Sequence, residues 1–309
     1  MTNYIVNRVL QSFVTLFIVM LVVFFASRIS GDPALLVMPL DATDKEIQDM
    51  RVVLGTDKPV LVQFGRFFQR ASVGDFGESI QHKVPVMDLI AARLPNSFKL
   101  AGAAFTASIV IAVVLGTIAA VWRNTPWDLI VRITGVLGLA VPSFWIGILL
   151  IDLFAVDLGW LPVAGTGGPK HFIMPAIVIG STAVAGMMRL LRSQLIEVLN
   201  SDYIRTARAK GLAGPAVVMG HALRNALIPV LTVAGVFFAG LLGGSVVAES
   251  IFAWPGIGQL AYQAVTARDF PVMQAVVLIT GAIIVGMNLL VDLLYGVIDP
   301  RIRMARGGR

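Results

Sequence analysis

The segment Asp202–Pro229 reads DYIRTARAKGLAGPAVVMGHALRNALIP and lies between two long apolar runs. Small residues separate its charges: Ala207 and Gly211 are four apart, a spacing that places two residues on one face of a helix. Gly211 also permits a backbone turn that other residues resist. The basic residues of the segment are Arg205, Arg208, Lys210 and Arg224, with Arg192 shortly before it.

Two interpretations of this segment remain open. A face of Ala and Gly lets the surface of another protein approach closely. Arg205 and Arg208, one helical turn apart, can then pair with acidic groups on that partner. The alternative is a solvated loop whose positive charge reflects membrane topology. That accounts for the charge, but not for the small residues or the break at Gly211.

The composition indicates an integral membrane protein. The chain has 309 residues, of which 57% are hydrophobic and 14% charged, whereas soluble domains carry about 25% charged residues. Cysteine is absent, which excludes disulfides and thiol chemistry, and the three histidines are far apart in sequence. The net charge of +6 could suggest nucleic acid, but its distribution favours membrane topology and no nucleic-acid partner.

Six segments without charged residues have the length of membrane spans. A bilayer core of about 30 Å needs roughly 20 helical residues, and lipid excludes unpaired backbone groups. We therefore predict an all-α membrane protein with six transmembrane helices, the first of them an uncleaved span rather than a signal peptide. The segments are Val9–Ala26, Leu100–Val121, Ile133–Ile151, Phe172–Met188, Ala226–Ala248 and Val272–Val291.

The basic residues predict the orientation of these spans. If the amino terminus is cytoplasmic, the inner segments hold thirteen Lys or Arg, including Arg301, Arg303, Arg306 and Arg309. The short outer loops then hold only Lys170 and Arg268. This asymmetry predicts that both termini, and the loop at residues 189–225, are cytoplasmic. Asp292, near the inner end of the last span, is expected to pair with a basic neighbour.

The long segment at residues 28–99 is predicted to be a mostly helical extracytoplasmic insert between the first and second spans. Thr43 and Glu46 form a capping-box pattern before an apolar helical repeat. Two further amphipathic pieces follow Pro59 and Pro85. The insert is expected to rest on the span ends, either as a docking or gating platform for an outer partner or as a packing element.

Small residues and prolines mark several spans. Gly102 and Gly116 in the second span, and the GLLGGS run Gly240–Ser245 in the fifth, allow close helix approach in lipid. This run suggests a subunit interface or the wall of a pathway. A proline in or at the start of the third, fourth and fifth spans can kink its helix; these are Pro142, Pro175 and Pro229.

The sequence lacks the motifs of several kinds of activity. It has no P-loop motif, so it does not bind ATP in the P-loop manner, and it has no catalytic triad or metal-ligand cluster. The predicted spans have no internal charges, which argues against a proton-coupled carrier. The chain therefore supplies a pathway and a docking loop, while the energy comes from a partner.

The segment at residues 202–229 resembles the EAA loop of ABC importer permeases, in the variant of the dipeptide/oligopeptide family. Arg205, Thr206 and Ala207 stand where that motif has Glu-Ala-Ala, and the distance from Gly211 to Pro229 is longer than in the general pattern. The likeness runs nearly end to end, and the first span with its insert resembles the B-type subunit. Further stretches that resemble the family are Ser30–Ala34, Leu54–Pro59, Gly74–Ser79, Arg93–Ala101, Pro142–Leu150, Leu158–Pro162 and Leu242–Gly258.

The resemblance implies a non-catalytic permease of the bacterial inner membrane, with a core domain at residues 95–299 and an EAA coupling loop at residues 189–225 in a single domain of residues 1–309. It implies as partners a second, C-type permease, two ABC ATPases that bind ATP and Mg, an extracytoplasmic peptide-binding protein and lipid, with no cofactor on this chain. The expected substrates are di- and oligopeptides, or else glutathione or nickel; a proton-coupled peptide carrier and a membrane scaffold remain as alternatives. The residues expected to couple to the ATPases are Asp202, Tyr203, Arg205, Thr206, Ala207, Arg208, Ala209, Lys210 and Gly211.

Overall fold

The computed structural model describes residues 2–29, 34–35, 38 and 42–298, and almost all of its regular structure is helical. Over these residues no strand is present, only an isolated bridge between Glu78 and Pro85, so the prediction of an all-α chain is confirmed there. The α-helices are α1 (Thr2–Ile29), α2 (Asp44–Leu54), α3 (Val60–Ser72), α4 (Val86–Val121), α5 (Pro126–Ala140), α6 (Ser143–Leu150), α7 (Lys170–Leu199), α8 (Asp202–Ala209), α9 (Gly214–Ala216), α10 (Leu223–Ile251), α11 (Ile257–Thr266) and α12 (Phe270–Ile298). Two π-helical stretches, Ile151–Asp157 and Val217–Ala222, continue α6 and α9.

Five long apolar helical segments can cross a membrane by length and composition, and a bent helix pair makes the number up to six. The predicted first, second, fourth, fifth and sixth spans lie within α1, α4, α7, α10 and α12 respectively, so these predictions are confirmed. The predicted orientation of the termini stays a prediction. The four carboxyl-terminal arginines and residues 30–33 of the insert lie outside the described residues.

The predicted third span, Ile133–Ile151, is wrong as a single continuous helix. The chain instead forms α5, a break at Val141 and Pro142, and then α6 with its π-helical continuation, bent by 109°. Proline lacks a backbone N–H and disfavours helical geometry in the residue before it. Val141 accordingly has an extended backbone with ψ of 127°. By contrast, Pro175 and Pro229 lie inside the continuous helices α7 and α10.

Both helices of the bent pair pack against α7. A Cβ built at Gly135 would touch Met188, one at Gly138 would lie 3.3 Å from the Ser181 carbonyl, and one at Gly147 would lie 3.5 Å from Val178. From Gly135 to Gly147, the contacted residues of α7 therefore lie progressively nearer the amino end of that helix. This order shows that α5 and α6 pack on successive parts of α7.

The described residues divide into two units, one of which is Phe98–Trp254. Its core lies among α4, α7 and α10, where Leu191, Leu195 and Met187 are fully buried. The Gly116 position in α4 allows very close approach, because an added Cβ would lie 2.9 Å from the Met188 carbonyl oxygen. Gly102 and Gly240 have nothing within 4 Å of such an atom, so their small size serves no packing within this unit.

The other unit comprises the described residues up to Ser97 and those from Pro255 onward. Arg8 of α1 and Asp292 of α12 form an ion pair at 3.1 Å, which confirms the expectation that Asp292 pairs with a basic neighbour. Asp269, just before α12, is buried and accepts hydrogen bonds from Ser79 Oγ and the backbone N–H of Ile80. This carboxylate ties the turn that precedes α4 to the start of α12.

The insert contains the predicted helices, with one difference. The capping box at Thr43 and Glu46 is present at the start of α2, and the piece after Pro59 is α3. The third piece, after Pro85, is not separate, because Val86 begins α4 and this helix continues without a break to Val121.

Candidate coupling site

The loop between α7 and α10 contains a short helix, α8, that begins after Ser201 and ends at Ala209. Lys210 is the carboxyl cap, and Gly211 has a left-handed φ of 78° with its N–H bonded to the Arg208 carbonyl at 2.9 Å. Only glycine adopts this conformation without a steric penalty. The predicted turn at Gly211 is therefore confirmed, and it sets where α8 stops.

One face of α8 is fixed to the second unit. Ile204 is fully buried in the same hydrophobic cluster as Leu195 and Val217, and Ala207, one turn later, packs against that cluster. At the start of α10, the Asn225 side chain donates a hydrogen bond of 2.8 Å to the Tyr203 hydroxyl oxygen. The apolar contact and the hydrogen bond together attach α8 to both of its flanking helices.

The remaining residues of α8 are exposed and include two arginines. Arg205 is 74% exposed and lies 3.2 Å from Asp202, its neighbour one turn earlier. Such an exposed pair contributes little to stability, so both side chains can exchange it for groups on another protein. The exposed residues continue without interruption from Arg208 to Ala216.

The idea that Ala207 and Gly211 form one outward face of a helix is wrong. Ala207 points to the core, and Gly211 lies beyond the end of α8. The surface that α8 presents consists of Asp202, Tyr203, Arg205, Thr206, Arg208 and Ala209. The small exposed residues lie after the helix instead, in the LAGPA stretch Leu212–Ala216.

An ion pair that sequence reasoning missed lies near this loop. Asp128, in the first turn of α5, is fully buried, and both of its oxygens accept from Arg192 of α7, at 2.7 Å from Nε and 2.8 Å from Nη2. The Asn124 backbone N–H donates to the same carboxylate at 3.1 Å, and Arg132 lies 3.5 Å away. Arg192 is thus an internal tether rather than only a loop charge.

The signals for this ion pair in the sequence are weak. Asp128 follows Pro126 at a helix start, which is a common place for an acidic residue, and Arg192 lies 64 residues away. Nothing local distinguishes the two from surface charges. The pair joins the turn before α5 to the part of α7 that leads into α8.

Comparison with known proteins identifies the class. Residues 112–304 match the family described as binding-protein-dependent transport system inner membrane component, and residues 1–101 match the amino-terminal region described for such membrane components. The chain belongs to this family of ABC importer permeases, and it is a multi-pass protein of the bacterial inner membrane.

Similar proteins indicate the type of ABC permease to which this chain belongs. The chain is 42% identical over 304 residues to the glutathione transport system permease protein GsiC of Escherichia coli (strain K12), covering 98% of this chain and 99% of that protein. The identity and coverage are the same for the GsiC protein of Shigella dysenteriae serotype 1 (strain Sd197). The predicted dipeptide/oligopeptide/glutathione type of ABC permease is therefore confirmed.

A solved structure shares the fold. An amino acid ABC transporter, crystallised with histidines, matches with a TM-score of 0.52 at 17% identity, covering 67% of this chain and 93% of that one. At this identity the likeness supports the fold alone.

Proposed function

We propose that this chain forms half of the translocation pathway of an ATP-driven importer for small peptides, and that α8 receives the motion of separate ATPase subunits. The observation that carries the proposal is the asymmetry of α8, which is bound to the core through Ile204 and Ala207 while its other side chains, among them Arg205 and Arg208, are exposed. A helix bound in this way moves together with α7 and α10 when a partner displaces it.

In this proposal the loop at residues 189–225 is cytoplasmic and docks on an ATPase subunit. Arg205, Arg208 and Lys210 pair with acidic groups on that subunit, and the exposed stretch after Gly211 lies against it. This chain contributes no catalytic group and no cofactor, because ATP and Mg belong to the ATPase partners. Energy thus reaches the pathway only through displacement of α8.

The opposite wall of the pathway comes from a second, C-type permease. Exposed apolar side chains on α10 support this assignment, since Ile228, Leu231 and Val236 are each more than half exposed. Gly240, further along α10, has nothing within 4 Å of an added Cβ. A partner helix can approach closely at such a glycine in lipid.

A peptide-like substrate is supported by the relatives, whose printed name is a glutathione permease. Glutathione is itself a tripeptide, so a glutathione importer also transports a peptide. We propose that a separate extracytoplasmic binding protein selects among them. Competition between labelled dipeptide, glutathione and Ni²⁺ in uptake by the assembled transporter discriminates the three substrates.

The coupling role is tested by reversing the charges of α8. The double variant Arg205→Glu/Arg208→Glu is expected to insert normally in the membrane but to abolish ATP-dependent uptake in vesicles. Arg123→Glu is the matched control, because Arg123 is also exposed but lies in the turn between α4 and α5. Normal uptake in the double variant would contradict the proposal. Uptake driven by a proton gradient without ATP would instead support a proton-coupled carrier.

A further inference from the structure

The amphipathic helix α3 lies against a membrane-spanning helix rather than beyond its end. Rings of α3 pack on rings of α1: Phe64 and Phe67 lie 5.3 and 5.6 Å from Phe24, and Phe68 lies 6.1 Å from Phe17. All of these distances join ring centroids. The contacts show that α3 lies beside α1 at the level of residues 17–24.

That level lies within the bilayer core. The charge-free run of α1 ends at Ala26, and at about 1.5 Å per residue Phe24 lies ~3 Å and Phe17 ~13 Å inside that end. Amphipathic helices that lie in the plane of a membrane bury their apolar face about 5–10 Å into the boundary between headgroups and acyl chains. The mean of the two depths, about 8 Å, falls in this range.

The sides of α3 are oriented for this position. Leu61 and Phe68 are seven residues apart, so they project from the helix within about 20° of each other. Phe68 touches Phe17, the deeper of the two α1 rings, which places Leu61 on the deeper side as well. Leu61 is 79% exposed and Phe68 is 42% exposed. Much of this apolar surface is therefore not covered by the protein.

The arginines of α3 lie on the other side of the helix. Arg66 and Arg70 are each two residues from Phe68, a separation of about 160° around the helix axis. Both are exposed, and Arg70 pairs with Asp75 at 2.8 Å. The Arg28 side chain, near the carboxyl end of α1, donates a hydrogen bond of 2.9 Å from Nε to the side-chain oxygen of Gln63. The arginines of α3 thus lie nearer the carboxyl end of α1, whereas Leu61 and Phe68 lie deeper along this span.

We infer that α3 is an in-plane membrane helix whose Leu61 and Phe68 side chains contact the acyl chains of the phospholipid bilayer, while Arg66 lies at the level of the lipid phosphates. Continuity with α1 identifies the occupant, because Phe17 is itself 44% exposed in a membrane span and touches Phe68. A lipid that covers Phe17 also covers Phe68. The inference does not depend on the substrate or on the coupling role of α8.

The test uses single cysteines in the full-length chain, which has none of its own. The variants Leu61→Cys and Arg66→Cys, each carrying a nitroxide label, are reconstituted into vesicles of phosphatidylethanolamine and phosphatidylglycerol. Collision rates are measured with oxygen, which concentrates in lipid, and with a water-soluble nickel chelate. The two positions belong to one helix and are both exposed, so each serves as the control of the other.

The label at position 61 is expected to show a ratio of oxygen to nickel collisions several-fold higher than the label at position 66. Equal ratios at the two positions would show that both sides of α3 have the same environment, which overturns the inference. Protection of position 61 from both reagents would show that a protein surface covers it, which also overturns the inference. Retained thermal stability of both variants shows that neither substitution disturbs the fold.

Discussion

The carboxylate of Asp128 and the guanidinium of Arg192 form a two-pronged ion pair, with Nε and Nη2 donating to separate oxygens at 2.7 and 2.8 Å. A carboxylate with no exposure is costly without such partners. The pair fixes the start of α5 to α7, about ten residues before α8. The pair therefore links α5 directly to the part of α7 that leads into α8.

Removal of the Asp128 charge is expected to destabilise the protein strongly. The change Asp128→Asn leaves Arg192 without its buried counter-charge, and breaking such a pair from one side costs about 3–5 kcal/mol. Thermal unfolding in detergent should show a clear loss of stability. The control is Asp152→Asn, since Asp152 is exposed and its replacement should change the free energy of unfolding by no more than about 0.5 kcal/mol. Equal effects of the two changes would mean that the ion pair contributes nothing.

A methyl group at position 116 is expected to separate α4 from α7. In Gly116→Ala the new Cβ would lie 2.9 Å from the Met188 carbonyl oxygen and 3.1 Å from Leu191. Backbone cannot move aside like a flexible side chain, and overpacking of this kind costs about 1–3 kcal/mol. Gly102→Ala in the same helix has open space and should be neutral or slightly stabilising. Unfolding midpoints of the two variants measure the difference, and a stable Gly116→Ala protein would refute the close approach.

Loss of the apolar contact beneath α8 is expected to uncouple transport. Ile204→Ala removes a fully buried side chain, a change that typically costs about 2–5 kcal/mol locally. Since α8 then moves independently of α7 and α10, the assembled transporter should keep ATP hydrolysis while substrate uptake falls. Val53→Ala, which truncates a side chain that is 78% exposed on α2, should leave both activities unchanged. Parallel loss of hydrolysis and uptake in Ile204→Ala would indicate failed docking instead.

The start of α2 is expected to depend on pH. Hydrogen bonds from the backbone N–H and hydroxyl of Thr43 lower the pKa of Glu46 below its ordinary value. A folded-state pKa that is lowered contributes stability above the unfolded pKa, about 4.3 for Glu, and the contribution is lost as the pH falls through the folded pKa. The wild-type protein should therefore melt above Glu46→Gln at neutral pH, and the gap should close in acid. A gap that stays constant down to low pH would contradict the capping box.

The span positions were predictable because their physical cause is local. A long run without charged residues must satisfy its backbone internally in lipid, and only a helix does so within one segment. The same reasoning failed at Val141 and Pro142, although the proline was visible. Proline permits a kink in any helix, and Pro175 and Pro229 show that neighbouring helices can hold it in a continuous one.

The coupling site was predictable in position but not in orientation. The turn at Gly211 follows from the conformational freedom of glycine, and the charges of α8 follow from composition. Which side of α8 faces outward depends on Ile204, whose burial requires contact with residues on α7 and α10. The helical spacing of Ala207 and Gly211 could not show that α8 stops at Ala209.

The sequence by itself determined that this chain is a helical membrane protein with a basic loop, because hydrophobic length and charge act on each segment separately. The tertiary structure alone decided that Asp128 meets Arg192, that α3 lies beside residues 17–24 of α1, and that Ile204 of α8 is buried while Arg205 and Arg208 are exposed. Each of these depends on contacts between residues distant in the chain, and their energies come from burial that no single segment can provide.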